Sequence, residues 1–195
     1  MRILVTSDTH GDLQAWQRLL EHYASGAQFI VHAGDVLYHG PKNPLVAGYA
    51  PLQLAEAINA CPYPMVMVKG NCDAEVDQQV LEWPLQHPLA LLQTPELTLL
   101  AAHGDRHSEQ DLARLALSYG AGIAVFGHIH QPVLKRVELE DKPGAAVWLL
   151  NPGSPSLPKY EEDGRPVASA AVIEGADIRI FGLEDGRTIA QARWR

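Results

Sequence analysis

The sequence predicts an α/β fold built on two packed sheets, on three observations. Strand and helix signals alternate through the first half of the chain. After residue 130 the pattern changes to short, partly alternating segments broken by Gly, Asp and Pro, as in antiparallel strands joined by tight turns. Five apolar runs also end at polar clusters: Asp8-Thr-His10, Gly34-Asp35, Gly70-Asn71-Cys-Asp73, His103-Gly104 and Gly127-His128-Ile-His130. A polar residue at the carboxyl end of a buried strand is held rigidly, yet faces the crevice where α/β proteins bind ligands.

The first strand is predicted at Ile3-Leu-Val5. Asp12 then caps a helix that places Leu13, Trp16, Leu20 and Tyr23 on one face. Phe29-Ile-Val31 is the second strand, residues 52–60 form a second helix stopped by Cys61-Pro62, and Met65 to Val68 is the third strand. Between Asp35 and that helix, Gly and Pro mark residues 38–51 as a structured loop. Leu97 to Ala102 and Ile123 to Phe126 are further strands, with a helix over Ser108 to Tyr119 between them. Val133 to Leu139, Ala146 to Leu150, Ser169 to Ile173, Ile178 to Leu183 and Thr188 to Trp194 are predicted as antiparallel strands. Glu161-Glu-Asp-Gly164 is predicted as an exposed turn.

A chain of 195 residues is suited to one domain over residues 1–195. Apolar content of 47% and a charged fraction of 19% are those of an ordinary soluble protein. The net charge of −8 disfavours stable binding to nucleic acid or to an anionic membrane, while still allowing an anionic substrate beside bound cations. Cys61 and Cys72 make no disulfide framework, and Met1 leads almost at once into a strand, so a cytoplasmic setting is expected. No apolar run approaches the roughly 20 residues of a spanning helix.

Taken together, the clusters predict one polymetallic site. Asp8 and His10 can reach one metal, and Asp35 can bridge two cations through its two oxygens. Asn71 offers a neutral oxygen, and His103, His128 and His130 offer neutral nitrogens. Mixed oxygen and nitrogen donors suit Mn²⁺, Fe²⁺ or Zn²⁺ better than Mg²⁺ or Ca²⁺. Seven such groups are about what two cations need when they share a carboxylate and a hydroxide, the pair being roughly 3.5–4 Å apart for in-line attack on phosphorus. The remaining histidines read differently. His22 lies on a helix and His87 and His107 flank turns, all ordinary positions; His32 is a packed strand residue, and His39 stands in the loop leaving Asp35, where substrate can be reached.

Ser7-Asp-Thr-His-Gly11, Gly34-Asp35, Gly70-Asn71-x-Asp73, His103-Gly104 and Gly127-His-x-His130 resemble, in order, the five motifs of the calcineurin-like metallophosphoesterase superfamily. Gly48-Tyr-Ala-Pro51 and Asn151-Pro-Gly-Ser154 are similar to its small bacterial YfcE-type phosphodiesterase branch. The resemblance implies a four-layer α/β/β/α sandwich and a dinuclear centre of two divalent ions, Mn²⁺ first, with Fe, Zn or Ni as substitutes. It implies Asp8, His10, Asp35 and His130 on one metal, and Asp35, Asn71, His103 and His128 on the other. It also implies hydrolysis of a small phosphodiester by a metal-bridging hydroxide, with Asp35 and Asn71 as the catalytic residues.

Many relatives carry histidine directly after the motif asparagine; here that position is Cys72. Substrate contact is therefore expected from His39 and Cys72, with weak hydrolysis of esters that have poor leaving groups. A phosphomonoesterase of the same mechanism and a weakly active, metal-bound interaction scaffold are the alternative functions. The 38–51 loop and the exposed sheet edges are compatible with a homo-oligomer.

Overall fold

The computed structural model describes residues 1–195. Strand β1 (Arg2–Thr6) leads into helix α1 (Leu13–Tyr23), whose first turn is capped by the Asp12 carboxylate accepting from the Ala15 amide. Then follow β2 (Phe29–His32), α2 (Pro51–Asn59) and β3 (Met65–Val68). A 3₁₀ turn (Glu75–Gln79) precedes β4 (Leu85–Gln86), β5 (Ala90–Gln93) and β6 (Thr98–Ala101). Helix α3 (Glu109–Ser118), with Ser108 and Asp111 in a capping box, precedes β7 (Ile123–Val125), β8 (Pro132–Leu139) and β9 (Lys142–Pro152). A small hairpin, β10 (Glu161–Glu162) and β11 (Arg165–Pro166), leads to β12 (Ser169–Glu174), β13 (Asp177–Gly182) and β14 (Thr188–Arg193).

The strands form a seven-stranded sheet in the order β14-β13-β12-β1-β2-β3-β4 and a five-stranded sheet in the order β5-β6-β7-β9-β8. Period-2 alternation assigns each side chain to a layer. Leu4, Ile30 and Met67 pack under α1 and α2, while their neighbours Ile3, Val31 and Val68 face the other sheet. In the second sheet Leu99, Ile123 and Leu150 meet them, and Leu100, Ala124 and Leu149 turn outward onto α3. Three apolar interfaces thus separate four layers, in the expected α/β/β/α sequence. No helix is long and apolar enough to cross a membrane.

Three features depart from the sequence reading. β9 pairs antiparallel with β8 but parallel with β7, so the C-terminal half is not purely antiparallel. The segments after residue 130 are also divided between the sheets, with β12 pairing antiparallel beside β1. The Glu161–Gly164 turn closes a paired hairpin around Asp163 and Gly164, both at positive φ. β4 and β5 carried no readable signal: both are short, with Pro84 directly before β4 and Pro88 two residues before β5. β1, β2 and β3 run parallel, as do β6 and β7, and this arrangement brings the five polar clusters to one edge of the two packed sheets.

Candidate metal centre

Backbone hydrogen bonds lace the loops at that edge together. The Asp8, His10 and Gly11 amides donate to the Gly34, Asp35 and Val36 carbonyls, and the Gly127 amide donates to the His103 carbonyl. Asp8, His10, Asp35, His128 and His130 all have positive φ, between 47° and 69°. Only one other non-glycine residue, Asp163, does so. Such a backbone costs roughly 1–3 kcal/mol per residue and persists where the surroundings over-determine it, typically at functional sites.

The lacing draws all seven predicted side chains together. His10 Nε2 lies 3.8 Å from Asp8 Oδ1 and 3.7 Å from Asp35 Oδ2, and His130 Nε2 lies 3.3 Å from Asp8 Oδ1. His103 Nε2 lies 3.5 Å from Asp35 Oδ2 and 3.0 Å from Asn71 Oδ1, which is itself 2.7 Å from His128 Nδ1. Asp35 therefore stands within reach of His10 on one side and His103 on the other. Asp8 belongs to both groupings, with His10 and His130 and with Asp35 and His103, so it is less one-sided than the resemblance implies. Six of the seven side chains are donors suited to a cation only when deprotonated or neutral, and the seventh is an amide oxygen.

The imidazoles are oriented from behind. Nδ1 of His10, His103 and His130 lies 2.8, 2.8 and 2.7 Å from the carbonyls of Tyr38, Ala33 and Leu157. Donating Nδ1–H to those carbonyls leaves each Nε2 with an inward lone pair, the tautomer a metal requires. His10 Nε2 and His130 Nε2 consequently face each other at 3.1 Å, two acceptors with no hydrogen between them. Lone pairs and carboxylates that converge in this way fit a divalent cation. Burial lowers His10, which suits its neutral form. On His103 burial works against charge, but the Asp35 and Asp8 carboxylates overcome it and push this residue up to about 9, so a cation bound there displaces the proton on Nε2. Burial would raise Asp35 too, yet His103, the Cys72 amide and His10 hold it well below the usual carboxylate range.

A second set of residues braces the first. Asp73 is buried and accepts from the Asp35, Val36 and Gly70 amides at 2.9, 2.7 and 2.7 Å. Burial pushes it up to about 6 against those three donors, so it is a carboxylate at neutral pH. A methyl group on Gly70 would run into the Asp35 carboxylate, which is why the residue there lacks one. Asn151 donates to the Gly127 carbonyl, and Ser154 donates to the Asp8 carbonyl while accepting from Leu157, whose own carbonyl holds His130. Asp73, Asn151 and Ser154 were visible as motif letters without a role. The Ala33, Tyr38 and Leu157 carbonyls had no signal in the sequence at all, because backbone oxygens have no side-chain letter.

Cys72 Sγ belongs to a grouping with His10 and Asp35, and its amide donates to Asp35 Oδ1 at 2.8 Å. Burial and the Asp35 carboxylate push the thiol up to about 12, so it is no thiolate nucleophile at neutral pH. His39 is half-buried and packs edge-on against the Tyr38 and Tyr49 rings, beside rather than within the ligand groupings.

His32 is the packed residue predicted. It accepts from the Gly34 amide at Nδ1 and, through Nε2, donates to Thr9 Oγ1 at 3.0 Å. Burial lowers it to about 4 from an ordinary 6.5, so the unfolded chain binds the extra proton between those values. Stability is therefore lost as pH falls from 6.5 toward 4, by about 2–3 kcal/mol at pH 4.5. Urea unfolding of metal-free protein at pH 7.5 and 4.5 should show this loss, and His32→Gln should be flatter by that amount. Equal slopes in the two proteins would reject it.

Residues 1–175 match the calcineurin-like phosphoesterase superfamily domain. Phosphodiesterase YfcE of Escherichia coli K12 is 37% identical over 192 residues, covering 98% of this chain and 97% of that protein. The solved structure of the E. coli YfcE phosphoesterase covers 100% of both chains with a TM-score of 0.81 and 34% identity. The zinc complex of Vps29 from Entamoeba histolytica also covers 100% of both chains, with a TM-score of 0.61. At 19% identity that likeness concerns the fold alone.

Proposed function

The chain belongs to the calcineurin-like phosphoesterase superfamily, and we propose that all 195 residues act as one phosphodiesterase domain around two divalent cations. Asp8, His10, Asp35 and His130 would hold one ion, and Asp35, Asn71, His103 and His128 the other, with Mn²⁺ as the first choice of metal. When bound, such a pair supplies a hydroxide for in-line attack and neutralises charge on the phosphoryl oxygens. The observation carrying this reading is the inward convergence of the His10 and His130 Nε2 lone pairs, with Asp35 between them and His103.

The chain's own groups supply orientation. Carbonyl contacts keep the imidazoles from turning their N–H groups toward the substrate. Asn71 Nδ2 points to Cys72 Sγ at 3.3 Å, so its Oδ1 stays turned toward His103 and His128. Water adds to phosphorus, one ester oxygen departs with a proton, and a phosphomonoester and an alcohol result. Phosphomonoesters are a close variant, since the same side chains serve both. Two free thiols, Cys61 and Cys72, favour a cytoplasmic setting.

Mn²⁺-loaded protein should hydrolyse bis(p-nitrophenyl) phosphate, lose that activity on exhaustive chelation and regain it with Mn²⁺. Turnover that survives removal of every metal would overturn the reading. Full metal occupancy without turnover would favour the scaffold reading, which the cysteine at position 72 supports.

Leaving-group dependence follows from the same cysteine. A thiol held protonated by burial and a neighbouring carboxylate is a feeble proton donor. The rate should therefore fall steeply from aryl to alkyl diesters, and Cys72→His should flatten that fall by about tenfold or more on the alkyl substrates. A flat profile in the parent protein, unchanged in the variant, would refute this.

A further inference from the structure

A polar cleft of about 410 Å³ opens beside the candidate centre and contains Asn71 in its wall. Lys69, Glu75, His87, Asp105 and Arg106 also line it, and Leu85 is the one apolar residue among them. It adjoins the site, because Asn71 Oδ1 contacts both His103 and His128. A phosphodiester has two ester arms, and phosphorus held at Asn71 places one of them at this opening.

The lining selects among classes of arm. Lys69 pairs with Glu75, and Arg106 Nε donates to Asp105 at 3.3 Å, so donors and acceptors of both signs stand side by side along the cleft. A second phosphate on the arm would meet Glu75 and Asp105. A cationic arm would meet Lys69 and Arg106. An apolar arm would strip water from these ion pairs without replacing the hydrogen bonds lost. A hydroxyl both donates and accepts, so a polyol can bond to either member of each pair. The Arg106 side chain, 74% exposed, keeps its terminal guanidinium nitrogens available for such an arm.

We infer that this cleft is a specificity subsite for the substrate's second ester arm and selects a hydroxyl-rich, sugar-like group. The inference rests on the phosphodiesterase reading above for its placement of the phosphorus, but its test does not need turnover. Isothermal titration of the Mn²⁺-loaded protein would compare glucose 6-(methyl phosphate) with dimethyl phosphate. The sugar ester should bind at least about tenfold more tightly, the worth of one or two hydrogen bonds to charged groups. That preference should shrink to within about twofold in Arg106→Ala and in Glu75→Ala, and persist in Arg114→Ala on α3. Equal affinities in the parent protein, or a preference retained in both cleft variants, would overturn the inference. Turnover of bis(p-nitrophenyl) phosphate without sugar preference would remove the subsite alone, while sugar preference without turnover would remove the phosphodiesterase reading alone.

Discussion

Asp35→Asn is expected to lower the turnover of bis(p-nitrophenyl) phosphate by at least about a thousandfold, roughly 4 kcal/mol of lost transition-state stabilisation, while the protein stays folded. Asp35 faces both halves of the site: Oδ2 lies 3.7 Å from His10 Nε2 and 3.5 Å from His103 Nε2, and Oδ1 accepts from the Cys72 amide. An amide there keeps the volume but removes a negative charge and turns one acceptor into a donor. The metal content should fall below two ions per chain in the same preparation, measured by elemental analysis. A variant with two bound metals and undiminished kcat would show that Asp35 is not shared.

Asp73→Asn should produce the largest loss of stability among substitutions near the site, about 2–4 kcal/mol, or roughly 10 °C in Tm for a chain this size. The parent carboxylate receives three backbone amides, two at Oδ2 and one at Oδ1. An asparagine can keep an oxygen toward only one of those positions, so its NH₂ is brought against an N–H group. The loops carrying Asp35 and Gly70 would then separate, so metal affinity should fall together with Tm. Thermal unfolding of metal-free protein isolates the first effect, and a Tm within about 2 °C of the parent would contradict it.

The parts legible in the sequence were those whose physics is local. Trp16 sits on the buried face of an amphipathic helix behind an aspartate cap, and helix, cap and this residue are read from spacing; Leu13, Leu20 and Tyr23 from the same reading pack around the core partly buried, while the buried Leu19 was not read. The alternation Ile3, Leu4, Val5 likewise announces a strand buried on both faces. The seven site side chains were legible because each ends an apolar run. Less was written about how the runs assemble. That β9 lies parallel to β7, or β12 beside β1, is decided by packing between layers rather than by any residue in those strands. The orientation of the imidazoles was hidden for a related reason: it depends on three carbonyls far away in sequence, which any residue could have supplied. The left-handed backbone at five site residues was not foreseen, since nothing in Asp or His letters distinguishes a strained loop from an ordinary one.

Anomalous diffraction from crystals of the Mn²⁺-loaded protein, collected at the manganese edge, examines the shared aspartate most directly. Two peaks are expected, one on each side of the Asp35 carboxylate, the first enclosed by Asp8, His10 and His130 and the second by Asn71, His103 and His128. A single peak at full occupancy, or two peaks that leave Asp35 unbound, would contradict the dinuclear centre and the hydrolytic chemistry built on it.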